Sequence, residues 1–241
     1  MSTRRAKQLL YGTFYAIIWG VFFTIIYFIF LRQPPAPVLA IPCAVDCLPM
    51  GATPFATQGD ISAFTTSAGH VTFLASIANS NSNYGAASFN YSFNLYDATG
   101  ASLGSVTGQS FIYPGEQKYI IDPNVSVPAG FDHATFAFSG VQWVSSDAIG
   151  FAPQFTFQNI MPRAASGTIA VGGEIVNNDV AVLHRVDVVT IFTGSSGAPI
   201  GASETEVNEV FPHQAANFSV IYPAVPGVDP SNNETFAYAA R

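Results

Sequence analysis

Charge is scarce in this sequence, and cysteine is scarcer. The 241 residues include 8 Lys and Arg, 15 Asp and Glu and two Cys, so that charged residues make up 10% of the chain, whereas about a quarter is usual in globular proteins. Two cysteines exclude a small disulfide-rich fold, and the shortage of basic residues excludes a basic nucleic-acid-binding protein. With 21 Phe and a positive mean hydropathy, the chain is too hydrophobic to be intrinsically disordered.

The few charges are unevenly placed along the chain. Four of the eight basic residues fall within the first 32 positions, and no acidic residue occurs before Asp46. From residue 33 onward there are 4 basic residues and all 15 acidic ones, which gives a net charge of −11. An acidic, lysine-poor second part does not favour the binding of anionic polymers, including nucleic acid.

The first part of the chain contains a long apolar segment. Residues 9–31 are 23 positions without a charge, and as a helix they would extend about 35 Å, which is enough to cross the hydrocarbon core of a membrane. Three basic residues precede the segment and one follows it. The positive-inside rule therefore predicts that residues 1–8 are cytoplasmic and that residues 33–241 are extracytoplasmic.

Cleavage of this segment as a secretory signal peptide is the alternative. Ala40 is a small residue of the kind that precedes a signal-peptidase site, but the apolar region of a signal peptide is usually only about 7–15 residues long. Cleavage after Ala40 would also leave a Pro-rich gap behind the apolar stretch. We therefore expect residues 9–31 to be a transmembrane helix that is retained as a single-pass signal anchor.

Residues 32–58 contain six prolines, which favour an extended, semi-rigid stalk. Cys43 and Cys47 lie within this stalk in a C-x-x-x-C arrangement. Outside the cytoplasm, the first interpretation is a local disulfide between Cys43 and Cys47. A disulfide between two stalks is the second, and a copper or redox site is disfavoured because no accompanying His or βαβ pattern is visible.

After residue 60 the apolar residues alternate with a period of two, which predicts an all-β fold. The pattern is clear in residues 71–78, 89–96 and 135–139. In the first of these, Val71, Phe73, Ala75 and Ile77 are expected to face a core, while the alternate residues, Leu74 among them, are expected to face solvent. Turn residues such as Pro114-Gly115 separate the runs, and no amphipathic helix is predicted beyond the anchor.

The β-rich part repeats after just under 100 residues. Ile77-Ala78-Asn79 corresponds to Ile175-Val176-Asn177, at an offset of 98, and the Gly turn at 100–104 corresponds to the Gly turn at 197–201. Each copy contains about six or seven short strands in roughly 90 residues, the size of an immunoglobulin-like sandwich. The sequence thus predicts two tandem β-sandwiches, over residues 59–148 and 149–241.

Two motifs in the first copy resemble a known domain family. Phe93-Asn94-Leu95-Tyr96-Asp97, followed by a Gly turn and then Tyr113-Pro114-Gly115-Glu116, is similar to the FxLYD-type immunoglobulin-like domain. The resemblance covers residues 68–145 and extends more weakly over 166–240, where His213 stands in place of the glycine. The order of anchor, Pro/Cys stalk and domains is also similar to that of uncharacterised single-pass bacterial envelope proteins.

The resemblance implies a structural pattern and no catalytic residues. The positions that carry the pattern in this chain are Asn79, Phe93, Leu95, Tyr96, Asp97, Gly100, Pro114 and Gly115.

Sequence patterns for enzymatic chemistry are weak. Gly100-Ala101-Ser102-Leu103-Gly104 has the form of a hydrolase nucleophile elbow, but it lies between two predicted strands, and Pro199 replaces the serine in the second copy. The four histidines show no chelating spacing. Glu204 and Glu206 are expected on a solvated strand face. A weak calcium site at the domain ends stays an open alternative. Its candidate ligands are the loop carboxylates of Asp97, Asp122, Asp132, Asp179 and Asp229.

We therefore expect a protein that is not an enzyme and uses no cofactor or metal. The predicted function is that of a membrane-anchored extracytoplasmic protein, which presents two immunoglobulin-like modules for binding or structural spacing at the cell envelope. The alternative is an accessory subunit of an envelope or secretion complex, held by its transmembrane helix. The predicted partners are the lipid bilayer and an envelope protein or surface ligand.

Overall fold

The computed structural model describes residues 15, 18–23, 48–194 and 196–240. The chain divides into two compact units, Met1–Cys43 and Ala44–Arg241. In the first unit, Tyr15 and residues 18–23 are helical, and the Trp19 ring packs against those of Phe22 and Phe23. Among the described residues, no helix has both the length and the apolar character needed to span a membrane.

Two predictions from the N-terminal region fall on positions without a described structure. The rest of the predicted transmembrane segment 9–31 lies outside the described residues, as does the stalk up to residue 47. Cys43 and Cys47 are among the undescribed positions, so the predicted disulfide stays a prediction.

The second unit begins with seven strands and one short helix, which we call the first half. The strands are β1 (Ala56–Thr57), β2 (Ser62–Ser67), β3 (His70–Ala78), β4 (Tyr84–Asp97), β5 (Ser102–Ile112), β6 (Gln117–Ser126) and β7 (Phe131–Ser145). Helix α1 (Ser146–Ile149) follows β7.

Six further strands form the second half. They are β8 (Phe155–Ala165), β9 (Thr168–Asn177), β10 (Leu183–Thr193), β11 (Pro199–Val210), β12 (Ala215–Pro223) and β13 (Asn233–Tyr238).

Both halves have the same strand order. In the first half, β3 pairs with β6 on one side and with β1 and β2 on the other, while β4 lies between β5 and β7. In the second half, β9 lies between β8 and β12, and β10 lies between β11 and β13. All of these pairings are antiparallel. The predicted all-β fold is thus confirmed, and the sheets form a sandwich-like arrangement.

Each half has its own hydrophobic core, built from the apolar side of the alternating pattern. The first core is rich in aromatic residues; Phe73 and Phe93 are fully buried, and their rings stack at a centroid distance of 5.2 Å. The second core is mainly aliphatic and contains the buried Ile175 and Val188. Strands β3 and β4, which belong to different sheets, therefore supply the centre of the first core, and β9 and β10 supply that of the second.

The outer face of β3 does not point to solvent, contrary to the prediction. Leu74 is only 4% exposed and Thr72 only 1%, because the β10–β11–β13 sheet of the second half covers this face. A third apolar cluster, which we call the inter-half cluster, joins the halves there. Its buried members are Phe64, Leu74 and Ile121 of the first half, and Val189, Ile191, Ala202 and Tyr238 of the second.

Candidate functional site

The FxLYD-like residues build the β4–β5 hairpin. One carboxylate oxygen of Asp97 accepts hydrogen bonds from the backbone amides of Thr99 and Ala101, at 2.8 and 2.9 Å. A bond from the Thr99 hydroxyl at 2.7 Å, together with these two, lowers the pKa of Asp97. Gly100 supplies the left-handed φ of +82° that the turn requires. The Tyr96 ring stacks on that of His133, and Phe93 and Leu95 are buried in the first core.

Asn79 ties the end of β3 to the neighbouring loops. It is 2% exposed, and its side-chain amide donates to the carbonyl oxygens of Tyr84 and Tyr113 at 2.8 and 2.9 Å. Its side-chain oxygen accepts from the backbone amide and the side-chain amide of Asn81. Every polar atom of this buried side chain is satisfied, which is what a structural role requires.

Asn177 repeats this arrangement in the second half. It is fully buried, and its side-chain amide donates to the carbonyl oxygens of Ala181 and Val210 at 2.8 and 3.0 Å. Its side-chain oxygen accepts from the backbone amide of Asp179 at 2.8 Å. The repeat seen in the sequence is therefore also a repeat of hydrogen bonding.

The Pro-Gly turn before β6 also has a counterpart. Pro114 is buried, and Gly115 has a φ of +69°. In the second half His213 occupies the glycine position and has a φ of +57°. A residue with a Cβ atom is strained in this left-handed region, at a cost of about 1 kcal/mol.

We expect His213→Gly to stabilise the protein by about 0.5–1 kcal/mol, because glycine removes the left-handed strain at an exposed position but adds chain entropy to the unfolded state. Urea denaturation of the full chain measures this change. Gly115→Ala is the reciprocal control; no atom lies within 4 Å of the position of the added Cβ, so no steric clash adds to the backbone strain. We expect it to destabilise by about 1 kcal/mol, and a stabilising Gly115→Ala would contradict the argument.

Ser102 does not have the surroundings of a catalytic nucleophile. It is exposed and starts β5 directly after the hairpin, where it pairs with Tyr96 of β4. The glycines before it and at the equivalent turn, Gly100 and Gly197, both have a left-handed φ. The common element of the two G-x-x-x-G sequences is therefore a hairpin turn.

The loop carboxylates do not converge on one point. Asp97 and Asp229 each accept bonds from their own turn residues, whereas Asp122 lies on β6. In the described part of the chain, no group of three or more His, Cys, Asp or Glu is arranged to hold a metal ion.

The structure brings together a group of residues that their spacing did not single out. A cleft of about 530 Å³ lies between the two halves. On one side it is lined by β5 and β6 with Tyr91 of β4, and on the other by β10, Glu204 of β11 and the end of the chain at Tyr238 and Ala240. Two hydrogen bonds join the halves beside it, from the Tyr113 hydroxyl to the Ala239 carbonyl oxygen and from the Tyr119 amide to the Tyr238 hydroxyl.

Lys118 is the buried cation of this cleft. The residue is 4% exposed, and its Nζ lies 3.3 Å from the ring centroid of Phe111 and 5.1 Å from that of Tyr238. Burial lowers the pKa of the Lys118 ammonium to about 8, although the negative charges of Glu116, Asp187 and Glu204 oppose this effect. Among the described residues, the Lys118 ammonium therefore lies against two aromatic ring faces and makes no ion pair within 4 Å.

Asp122 faces the same cleft from β6. Its Oδ1 accepts a hydrogen bond from the Tyr91 hydroxyl at 3.2 Å, whereas its Oδ2 is buried and has no hydrogen-bond partner in the described structure. Burial raises the pKa of Asp122, and burial with the neighbouring Asp122 charge raises the pKa of Tyr91. The pair thus leaves one acceptor atom open.

The second half contributes an ion-paired group. The Arg185 guanidinium lies 2.9 Å from Asp187 and 3.1 Å from Glu206. Glu206 lies on an exposed strand face, as the sequence predicted, and forms this ion pair there. Glu204 is exposed, but desolvation of its carboxyl group at the cleft and the charges of Asp187 and Asp122 raise its pKa to about 7, against the opposing effect of Arg185 and Lys118.

We expect Glu204→Gln to stabilise the protein at pH 8 and to change little at pH 4. The folded-state pKa of Glu204 is raised from 4.5 to about 7, so the wild type loses stability as the pH rises through this window, and the amide variant does not. Because Glu204 is partly exposed, we expect a difference of about 1 kcal/mol. His184, which also lines the cleft, is present in both the wild type and the variant, so it does not affect the difference between them.

Urea denaturation of the full chain at pH 4 and pH 8 measures this difference. Glu209→Gln, at an exposed position on the same strand, controls for the loss of one negative charge. An equal effect of Glu204→Gln at both pH values would show that the cleft does not perturb this carboxyl group.

One sequence feature singles out Lys118 in retrospect. The chain has only two lysines, Lys7 and Lys118, and the second lies next to the apolar residues 119–121 in a strand. Its partners across the cleft come from β10, β11 and β13, which no local pattern connects to β6. The comparisons with known proteins add no candidate residue: no family model matches this chain, and no curated protein matches it significantly.

Proposed function

We propose that this chain is a membrane-anchored extracytoplasmic protein, which presents two immunoglobulin-like modules for binding at the cell envelope and does not catalyse a reaction. The modules are residues 59–148 and 149–241, carried on a stalk that a Cys43–Cys47 disulfide braces. Residues 9–31 form the anchor. The uncharged length of this segment and the basic residues before it support the orientation, with the N-terminus in the cytoplasm.

The repeated strand order supports the division into two modules of one family. Each half places its A-, B- and E-like strands in one sheet and its other three main strands in a second sheet, as in immunoglobulin-like sandwiches. Asn79 and Asn177 make equivalent bonds at equivalent positions. The FxLYD-like residues serve turns and core packing, in keeping with a module whose function lies on its surface.

The polar cleft between the halves favours a binding function over a purely structural role as a spacer. A pure spacer needs only the apolar inter-half cluster to hold its modules together. This chain instead lines the space beside that cluster with charged side chains, of which Lys118 is buried. Buried charges of this kind are costly to keep, and binding sites are where proteins usually keep them.

The orientation is tested by labelling the cysteines of the full chain in intact cells. After mild reduction, a membrane-impermeant maleimide should label Cys43 and Cys47 without lysis. Ser2→Cys in a chain with Cys43→Ser and Cys47→Ser is the matched control, and we expect its labelling only after lysis. The reverse labelling pattern would contradict the proposal. Crosslinking of the same cells decides between a surface-binding protein and a complex subunit, because only a subunit yields a stoichiometric membrane partner.

A further inference from the structure

We propose that the cleft between the two halves is a binding site for a neutral saccharide, in which the Lys118 ammonium donates to ligand oxygens and the Asp122 carboxylate accepts from a ligand hydroxyl. The inference deepens the proposed function and rests on it for its biological setting.

The Lys118 ammonium has donor capacity that the described residues do not use. An ammonium group has three hydrogen-bond donors, and a residue that is 4% exposed has little access to water. In the described part of the chain, neither a hydrogen bond nor an ion pair engages the Lys118 ammonium. Ring faces alone, at 3.3 and 5.1 Å, do not replace directed acceptors. A ligand oxygen in the cleft would supply one.

Asp122, on the same strand, carries an acceptor atom without a donor. Asp122 Oδ2 is buried without a partner, while Oδ1 is occupied by the Tyr91 hydroxyl. A buried acceptor left without a donor costs about 1–3 kcal/mol. A ligand that complements the cleft therefore accepts a hydrogen bond from the Lys118 ammonium and donates one to the Asp122 carboxylate. A hydroxyl group does both.

The charge balance argues against an ionic ligand. The lining holds two cations, Lys118 and Arg185, and three carboxyl groups, Asp122, Asp187 and Glu204. Arg185 is already paired with Asp187 and Glu206, and the negative charges of Glu116, Asp187 and Glu204 offset that of Lys118. The carboxylates would repel an added anion, and the Lys118 ammonium would repel an added cation. A neutral ligand rich in hydroxyl groups meets neither penalty.

The size and the walls of the cleft fit the same class. A volume of about 530 Å³ lies within the range of about 300–1,000 Å³ that is typical of small-molecule sites. Phe111, Tyr119 and Tyr238 give the lining aromatic surface beside the charged groups. The C–H faces of a sugar ring pack on such rings while its hydroxyl groups reach the polar atoms.

The test observes Lys118 directly, because Lys7 is the only other lysine. The full chain with Lys7→Arg and ¹³Cε-labelled lysine is prepared in a detergent without a sugar headgroup, and its single lysine resonance is followed during titration with maltotriose, cellotriose and chitotriose. We expect at least one of these neutral trisaccharides to shift the resonance, with a Kd of about 0.1–1 mM. No shift with any of the three would overturn the proposal.

Variants then assign the site, with binding of the active trisaccharide measured by calorimetry. We expect Lys118→Met and Asp122→Asn each to weaken binding about tenfold, with unchanged β-sheet circular dichroism. Arg163→Met is the matched control, because Arg163 is exposed on β8 and lines a different hollow; we expect it to bind normally. Unchanged binding by Lys118→Met, or preferential binding of a trigalacturonate or a tripeptide, would overturn the proposal.

The two proposals fail separately. Reversed cysteine labelling would refute the extracytoplasmic orientation while leaving saccharide binding by the purified chain intact. Absence of trisaccharide binding would refute the ligand class while leaving the orientation intact.

Discussion

Replacing Asn79 or Asn177 by alanine should destabilise the protein by about 3 kcal/mol. Asn177→Ala leaves the carbonyl oxygens of Ala181 and Val210 without their side-chain donor, and it leaves the Asp179 amide without its side-chain acceptor. Unsatisfied buried polar groups cost about 1–3 kcal/mol each, and local rearrangement reduces the sum. Asn79→Ala should have a similar effect, since Asn79 donates to two carbonyl oxygens in the equivalent loops.

Chemical denaturation of the full chain measures both effects, and each asparagine has a control nearby. Asn178 and Asn83 are exposed, and their replacement by alanine should change the free energy of unfolding by less than about 0.5 kcal/mol. Asn177→Asp preserves the shape but presents an acceptor to two carbonyl oxygens, so it should destabilise about as much as Asn177→Ala. A stable Asn177→Asp would show that the amide donors are not needed.

Leu74→Ala should destabilise by about 3 kcal/mol, although the alternating pattern of β3 places Leu74 on the side opposite to the core. Leu74 is 4% exposed in the inter-half cluster, and truncation of a buried leucine removes apolar contact and leaves a cavity. If this face were solvated, as the sequence alone predicts, the same substitution would cost less than about 0.5 kcal/mol. Chemical denaturation therefore decides directly between the two descriptions of this face.

A double-mutant cycle extends this test to the contact between the halves. Leu74 and Ile191 belong to the same cluster but to different halves. Their alanine variants should show a coupling energy of about 1 kcal/mol. Leu74 and Leu183 provide the control pair, because Leu183 belongs to the core of the second half, and their effects should add. Additive effects for Leu74 and Ile191 would contradict direct packing of the two halves.

Local patterns predicted much of the fold. Alternation in β3 and β4 correctly placed Phe73 and Phe93 in a core, because a strand presents successive side chains to opposite faces. The turn at Gly100 and the Pro114-Gly115 turn were also predicted correctly, since left-handed backbone positions select glycine. The repeat offset predicted that Asn177 would match Asn79, and the two make equivalent bonds.

The errors lie where distant strands meet. Leu74 was expected to face solvent, because a single sandwich exposes one face of each sheet, whereas here the second half covers that face. Glu204 and Glu206 are exposed, as expected, but the pairing of Arg185 with Glu206 and the raised pKa of Glu204 were not predicted. No spacing in the chain connects these residues with β6.

Sequence alone determined the all-β class and the repeated order of turns and strands, because alternation and turn chemistry act between residues close in the chain. It also determined where the chain carries a long uncharged segment and where its acids lie. Only the tertiary structure decided that the two halves pack through Leu74 and Ile191, and that Lys118 is buried opposite Glu204. Burial and electrostatic coupling depend on which surfaces come together in space, and the strands concerned are far apart in the chain.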